Sequence, residues 1–368
     1  MLTKADDYPI HQLSLPISEV GSDRNFYDRY FFNGYNKEGD IFFAVALCVY
    51  PNLNIMDGSF VVVRNGIQHN CRYSRVMGLE RMDTKVGALE VKVLEPLHKL
   101  QILVDDKAAS ISADLTFEGR FEAIQEPKMI LNNGPRVVMD TTRLTQQGFW
   151  SGNLRLLDEE IKLENQVVYG TRDRSWGIRP VGKPDSQPVA PYEIPQFYWL
   201  WCPANFDNFS THMYFVDDAK GKSINSHSVI QGKQYSETLL LENLTKEVSY
   251  VSESRRVERA EFTTHKGDGE SIKVTIKPKF NIYMCGLGYM HPEWGHGQFK
   301  GENESSYDTY DLKEDPHDPP FLHIQGISDI TYTDKKASFF GTGVLEQLFI
   351  GPHKPSGFED LLDRPKKS

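Results

Sequence analysis

Apolar and polar residues alternate along much of the chain with a period of two. From Ile111 to Ala123, Ile111, Ala113, Leu115, Phe117, Gly119, Phe121 and Ala123 share one face, and Ser112, Asp114, Thr116, Glu118, Arg120 and Glu122 share the other. Residues 271–284 repeat the pattern, with Ile272, Val274, Ile276, Phe280, Ile282 and Met284 opposite Lys273, Thr275, Lys277 and Lys279. Successive strand side chains point to opposite faces, so runs of this length predict half-buried antiparallel strands. Further strands are predicted at 41–50, 59–64, 67–76, 88–94, 100–105, 197–202, 211–217, 327–333 and 338–350. Asn65-Gly66 between two of them has the residues of a type I′ hairpin turn. Helical periodicity is nearly absent; only FEDLLDR after Gly357 has the makings of a turn or two. The alternation lapses around Pro127 and Asn132-Asn133-Gly134-Pro135, which places a boundary within 125–165. The prediction is an all-β protein of two antiparallel barrels or sandwiches, residues 1–160 and 161–368, with very little helix.

Composition narrows the function. With 21 Phe, 17 Tyr and 5 Trp, aromatics make up 12% of 368 residues, which suits sheet faces and pockets for large apolar ligands. A net charge of -10 argues against nucleic acid or an anionic membrane surface as partner. No apolar run reaches the roughly 18 residues of a membrane helix, so no integral membrane segment is expected. MLTKADDYPIHQ lacks an apolar leader, which makes the cytoplasm the expected compartment. Cys48, Cys71, Cys202 and Cys285 are widely spaced and predict reduced, buried thiols. Nothing in the pattern specifies an oligomeric state.

Four clusters could carry chemistry. In VVYGTRDRSWGIRP (167–180), strand alternation turns Asp173 away from Arg172 and Arg174. On the inner face of an aromatic barrel such an acid would be desolvated and kept protonated, ready to protonate an alkene, with Trp176 shielding a cation. The structural alternative is an ion pair plugging a barrel, with Arg179 as the partner. GLGYMHPEWGHGQFKGE (286–302) groups Tyr289, His291, Glu293, Trp294 and His296 among glycines just after a strand. These residues could orient water or pass a proton; no third ligand marks a metal site, so no metal is expected. Glu346 shares a strand face with Val344, Leu348 and Ile350, ahead of His353, and is a second acid or base unless an arginine neutralises it. In QFYWLWCP (196–203), Trp199 and Trp201 share one face and Tyr198 lies on the other, as wall of a ligand cavity or as core. No G-x-S-x-G elbow, P-loop or dinucleotide fingerprint is present, so no cofactor is expected.

The D-x-x-W-G core of Gly170 to Gly177, with RDRSWG, GYMHPEWGHG and EQLFIGPHKPSGF, resembles the carotenoid 1,2-hydratase (hydroxyneurosporene synthase) superfamily, and within it an uncharacterised branch. The resemblance implies two tandem lipocalin-like domains and a cofactor-independent hydratase or cyclase, a lyase or isomerase acting on a hydrophobic isoprenoid, steroid-like or polyketide-like molecule. It implies Asp173 as the general acid and Trp176 as the cation-stabilising ring. Arg172 stands where many relatives have histidine. Tyr198, Trp199, Trp201, Tyr289, Trp294 and His353 are then candidate substrate contacts, and His291, Glu293, His296 and Glu346 candidate proton carriers. A non-catalytic carrier of the same ligands is the alternative.

Overall fold

The computed structural model describes residues 1–184, 187, 190, 195–233 and 238–365. The chain forms two compact units, Met1–Pro188 with Cys285–Asp311, and Val189–Met284 with Leu312–Ser368. No α-helix occurs among the described residues; a few short 3-10 turns join the strands.

In chain order the first unit begins with β1 (Phe26–Asn36), β2 (Phe42–Tyr50), β3 (Ile55–Arg64), β4 (Ile67–Val76), β5 (Lys85–Val86), β6 (Leu89–Glu95) and β7 (Lys99–Asp106). It continues with β8 (Ile111–Gly119), β9 (Ile124–Gln125), β10 (Met129–Asn133), β11 (Arg136–Leu156), β12 (Glu159–Lys162) and β13 (Val168–Ile178). The second unit holds β14 (Phe197–Asn205), β15 (Phe209–Asp217), β16 (Ser223–Gly232), β17 (Leu239–Leu240), β18 (Glu242–Tyr250), β19 (Val257–His265) and β20 (Ser271–Tyr283). The chain then returns to the first unit for β21 (Asn303–Asp311) before completing the second with β22 (Ile324–Thr333) and β23 (Ser338–Ile350).

Each unit is one antiparallel sheet curled into a nearly closed barrel, ordered β21-β4-β3-β2-β1-β13-β11-β8-β7-β6-β5 in the first and β17-β16-β15-β14-β23-β22-β20-β19-β18 in the second. These are the two lipocalin-like domains expected. Gly58 on β3 helps the first to close: a Cβ there would lie 2.6 Å from Val86 and 2.8 Å from Leu89 on the returning edge. Trp150 anchors the first interior, packing edge-on against Phe43 at 5.1 Å, Phe117 at 5.3 Å and Phe32 at 5.8 Å. Leu200, Phe215, Phe262, Ile276 and Phe349 fill the second.

Several expectations hold. Of the predicted 111–123 and 271–284, residues 111–119 and 271–283 are strands with alternating burial, and 120–123 lie beyond the strand end. Asn65 and Gly66 take φ of 53° and 77° between β3 and β4, as a type I′ turn requires. All four cysteines are buried free thiols.

Others need correcting. The stretch read as a boundary contains the longest strand, β11, which pairs with β8, β9, β10, β12 and β13. Its apolar alternation fails because its buried positions include Thr141, Thr145, Gln146 and Gln147. The division therefore falls near 188, not 160, and both RDRSWG and HPEWGHG lie in the first unit; only EQLFIGPH lies in the second. FEDLLDR (358–364) is not helical; the Asp363 carboxylate accepts the amides of Glu359 and Asp360 instead.

Candidate functional site

Strand alternation sorts the RDRSWG motif on β13. Arg172, Arg174 and Trp176 face the interior with Tyr30 and Phe32 of β1, whereas Thr171, Asp173 and Ser175 face the opposite side of the sheet. Asp173 is thus not on the inner face. It also lies three residues from Trp176, and an odd spacing on a continuous strand sets two side chains on opposite faces. The ring cannot shield a cation formed at that carboxyl. Asp173 pairs with Arg29 of β1, whose Nη2 lies 3.3 Å from Oδ1 and 3.4 Å from Oδ2, both side chains being buried. A guanidinium at this distance favours the carboxylate over the neutral acid that alkene protonation needs. Arg179, the partner considered from sequence, lies instead over the rings of Tyr27 at 4.5 Å and Tyr289 at 5.5 Å.

Cross-strand register builds the rest of this face. Ser175, Arg29, Cys48, Asp57 and Ser74 form one row across β13, β1, β2, β3 and β4; Asp173, Phe31, Ala46, Ser59 and Arg72 form the next. The small side chains of β2 leave room above the sheet, and residues 285–298 use it. Ser59 Oγ donates to the carbonyl of Leu287, Arg72 Nη2 to that of Cys285, and the amide of Gly297 to Asp57 Oδ2 at 2.7 Å. This lays the histidine-rich loop against the polar face. His296 Nδ1 stands 3.7 Å from Asp57 Oδ1, and its ring meets that of Tyr289 edge-on at 4.6 Å. Arg29 Cζ lies 5.3 Å from the same Tyr289 ring, linking the Asp173 pair to His296.

The electrostatics single out His296, whose side chain is 10% exposed. Burial pushes its imidazole below the ordinary value, Asp57 opposes this, and Arg179 and Arg29 add to it. The ring is therefore neutral near pH 7, a base rather than an acid. A cavity of about 10 Å³, room for the centre of one water molecule, is lined by Asp57, Ser59, Arg72, Ser74, Trp294 and His296. Arg72 Nε, Ser74 Oγ and His296 Nε2 are buried atoms with no hydrogen-bond partner among the described residues. The Cys48 thiol is pushed up to about 12, chiefly by burial, and is no nucleophile.

The neighbouring candidates are otherwise engaged. His291 Nδ1 accepts the amides of Glu293 and Trp294 at 3.1 and 2.9 Å, folding the loop, and burial with Arg72 nearby takes it down to about 4. Glu293 is exposed, and Trp294 is half-buried beneath Lys300.

In the second unit, Glu346 accepts hydrogen bonds from Trp199 Nε1 at 3.0 Å, His323 Nε2 at 2.9 Å and Gln325 Nε2 at 2.7 Å. Burial alone would raise this carboxyl, but His323, Gln325 and Trp199 together hold it at about 2. Its partner is not an arginine, and it is an anchored anion rather than a proton carrier. Trp199 and Trp201 share its face, where Trp201 packs edge-on to His212 at 5.4 Å. Tyr198 and His353 lie on the core side, stacked at 3.8 Å, with His353 Nε2 3.3 Å from Asp217 Oδ2. They are not gathered with the tryptophans. Sequence reading missed Arg29, Asp57, His212 and His323. Charged residues set among aromatic and apolar neighbours, in FYDRYFF and IMDGSFVVVR, were the available signal for the first two.

Among the described residues no three His, Cys, Asp or Glu side chains converge as a metal would need, and no helix is long and apolar enough to cross a membrane.

A model of a family of unknown function, DUF8625, matches residues 2–359. The chain belongs to this family. No curated protein matches it by sequence. Solved structures share its fold at low identity. An AttH-like protein from Nitrosomonas europaea is 11% identical with a TM-score of 0.52, covering 92% of this chain and 97% of that one. CghA, crystallised with Sch210972, is 9% identical with a TM-score of 0.54, covering 89% of each chain. Kievitone hydratase from Nectria haematococca is 12% identical with a TM-score of 0.48, over 87% of this chain and 88% of that one.

Proposed function

We propose that the protein is a hydratase- or cyclase-type lyase or isomerase, working without a cofactor on a hydrophobic, polyunsaturated small molecule. The observation that carries this is His296, whose Nε2 has no hydrogen-bond partner among the described residues, in the lining of a water-sized cavity on the face that holds the Arg29–Asp173 pair. The motif resemblance and the fold shared with CghA, which accommodates Sch210972, support the same class. The neutral imidazole takes a proton from water as its oxygen bonds to an alkene carbon conjugated with a carbonyl. The negative charge that moves to the carbonyl oxygen is stabilised by the Arg29 guanidinium, and the imidazolium returns its proton to the neighbouring carbon. Asp57 steadies the imidazolium during transfer. Asp173 positions Arg29, a change from the general-acid role that the resemblance implies. Proton removal and return by the same groups, without water addition, would isomerise the substrate.

The test is incubation with a panel of conjugated terpenoid and polyketide ketones, read by mass spectrometry. A product heavier by one water, or an isomer of equal mass, is expected. His296→Gln should lower kcat by roughly 10²–10⁴-fold, while Asp173→Asn lowers it without abolishing it. The acid limb of the pH profile should fall below pH 6.5, the ordinary histidine value, because His296 is depressed. Tight binding with every ligand recovered unchanged would instead establish the carrier.

A further inference from the structure

The inner face of β13 bears three side chains that this chemistry leaves unused: Arg172, Arg174 and Trp176. Arg174 Nη1 pairs with Asp28 Oδ1 at 2.7 Å, and Arg81 Nη2 reaches Asp28 Oδ2 at 3.6 Å. Arg172 lies one strand repeat deeper, roughly 7 Å along. Its Nε donates to Gln146 Oε1 at 2.7 Å, but its buried Nη2 has no hydrogen-bond partner among the described residues. Arg81 and Arg174 thus share one carboxylate, with the Arg172 guanidinium beyond them. Burial, and then Arg174, pulls Arg172 down to about 10, the mark of a desolvated cation crowded by its like.

Two hollows flank the Asp28–Arg81–Arg174 group. One, of about 600 Å³, is walled by Leu47, Val49, Met82 and Val91, with Asp83, held by Arg75, and the Glu90–Lys92 pair also in its lining; the other, of about 400 Å³, by Leu13, Leu15, Phe26 and Trp176, with Glu19, held by the N-terminal amine. Both fall in the size range of small-molecule sites. Ile10 and Ile17 of the N-terminal segment line both, and Arg81 Nη1 holds that segment by donating to the Ile17 carbonyl at 3.1 Å. Trp176, 36% exposed, stands at the rim.

We propose that the mouth of the first barrel is a second ligand site, which takes an amphipathic monocarboxylate with an aliphatic tail. The carboxylate supplies the anion that the arginine group lacks, and the tail lies in the apolar hollows under the N-terminal segment. An inorganic anion would leave those walls wet, and a neutral lipid would leave the excess positive charge unpaired. The site sits across the sheet from Asp173 and His296, and its occupancy is independent of the reaction proposed above.

Calorimetric titration of the full chain with decanoate tests this, with decan-1-ol as the uncharged control. Decanoate should bind once per chain and at least about tenfold more tightly than the alcohol, the difference expected from one charge-assisted contact. Arg81 lies outside the strands, so Arg81→Met leaves the sheet intact and should weaken decanoate binding about tenfold. Asp28→Asn removes the competing carboxylate and should tighten it. Equal affinity for acid and alcohol would overturn the proposal. So would a shift of Arg81→Met and Asp28→Asn in the same direction, since general damage to the barrel moves both that way.

Discussion

Asp173 is a buried carboxylate and Glu346 a part-buried one, and their partners give them different parts. Asp173 pairs with the buried Arg29 guanidinium at 3.3 Å, so its loss takes a charged partner from a buried cation. Asp173→Ala should therefore destabilise the fold by about 3–5 kcal/mol. Arg29→Met combined with Asp173→Leu should recover most of that loss, as read from urea unfolding. Glu346 has three donors, and its carboxyl sits near 2 against an ordinary 4.5. A depressed carboxyl stabilises the fold fully above its unfolded value and loses that contribution as pH falls toward the folded one. Unfolding measured from pH 5 downward should show a steep loss for the native protein. Glu346→Gln, less stable at neutral pH, should show a shallower one.

At the scale of the element, β13 divides its labour between two faces, and this depends on close packing along its length. Trp150 Nε1 donates to the Asn33 carbonyl at 2.9 Å directly over Gly170, where a Cβ would collide with both atoms. Gly170→Ala should cost about 1–3 kcal/mol, visible as a lower denaturant midpoint with altered tryptophan fluorescence. The same geometry explains what could be read in advance. Strands with one apolar face, such as β8 and most of β20, declare themselves in the sequence. β1 does not, because Arg29 and Asn33 are as buried as Phe31 and Phe32. Nor does β21, an edge strand of polar residues. The glycine- and histidine-rich loop was legible as a candidate by composition. Its alignment with Asp57 and Arg29 was not, since that follows from the register of strands far apart in the chain.

For the whole molecule, the path of the chain matters more than the count of barrels. It leaves the first unit near residue 188 and comes back with residues 285–311. β21 then satisfies groups already buried on β4: Asn70 Nδ2 donates to Asp308 Oδ1 at 2.8 Å, Arg72 pairs with Asp308 Oδ2 at 3.0 Å, and Arg72 Nη2 donates to Tyr310 at 2.8 Å. A fragment of residues 1–188 should therefore fail to give a cooperative unfolding transition. Co-expression with 189–368, which restores β21, should yield a soluble complex in size-exclusion chromatography. This threading also sets a schedule for synthesis. The strand that completes the first barrel is translated 123 residues after the rest of it (311 less 188). At ~5–20 residues per second that is a wait of roughly 6–25 s. Throughout that interval β4 is an open edge with a polar row awaiting its own late-arriving strand, the stage at which a ribosome-bound chain is most exposed to pairing with a neighbour.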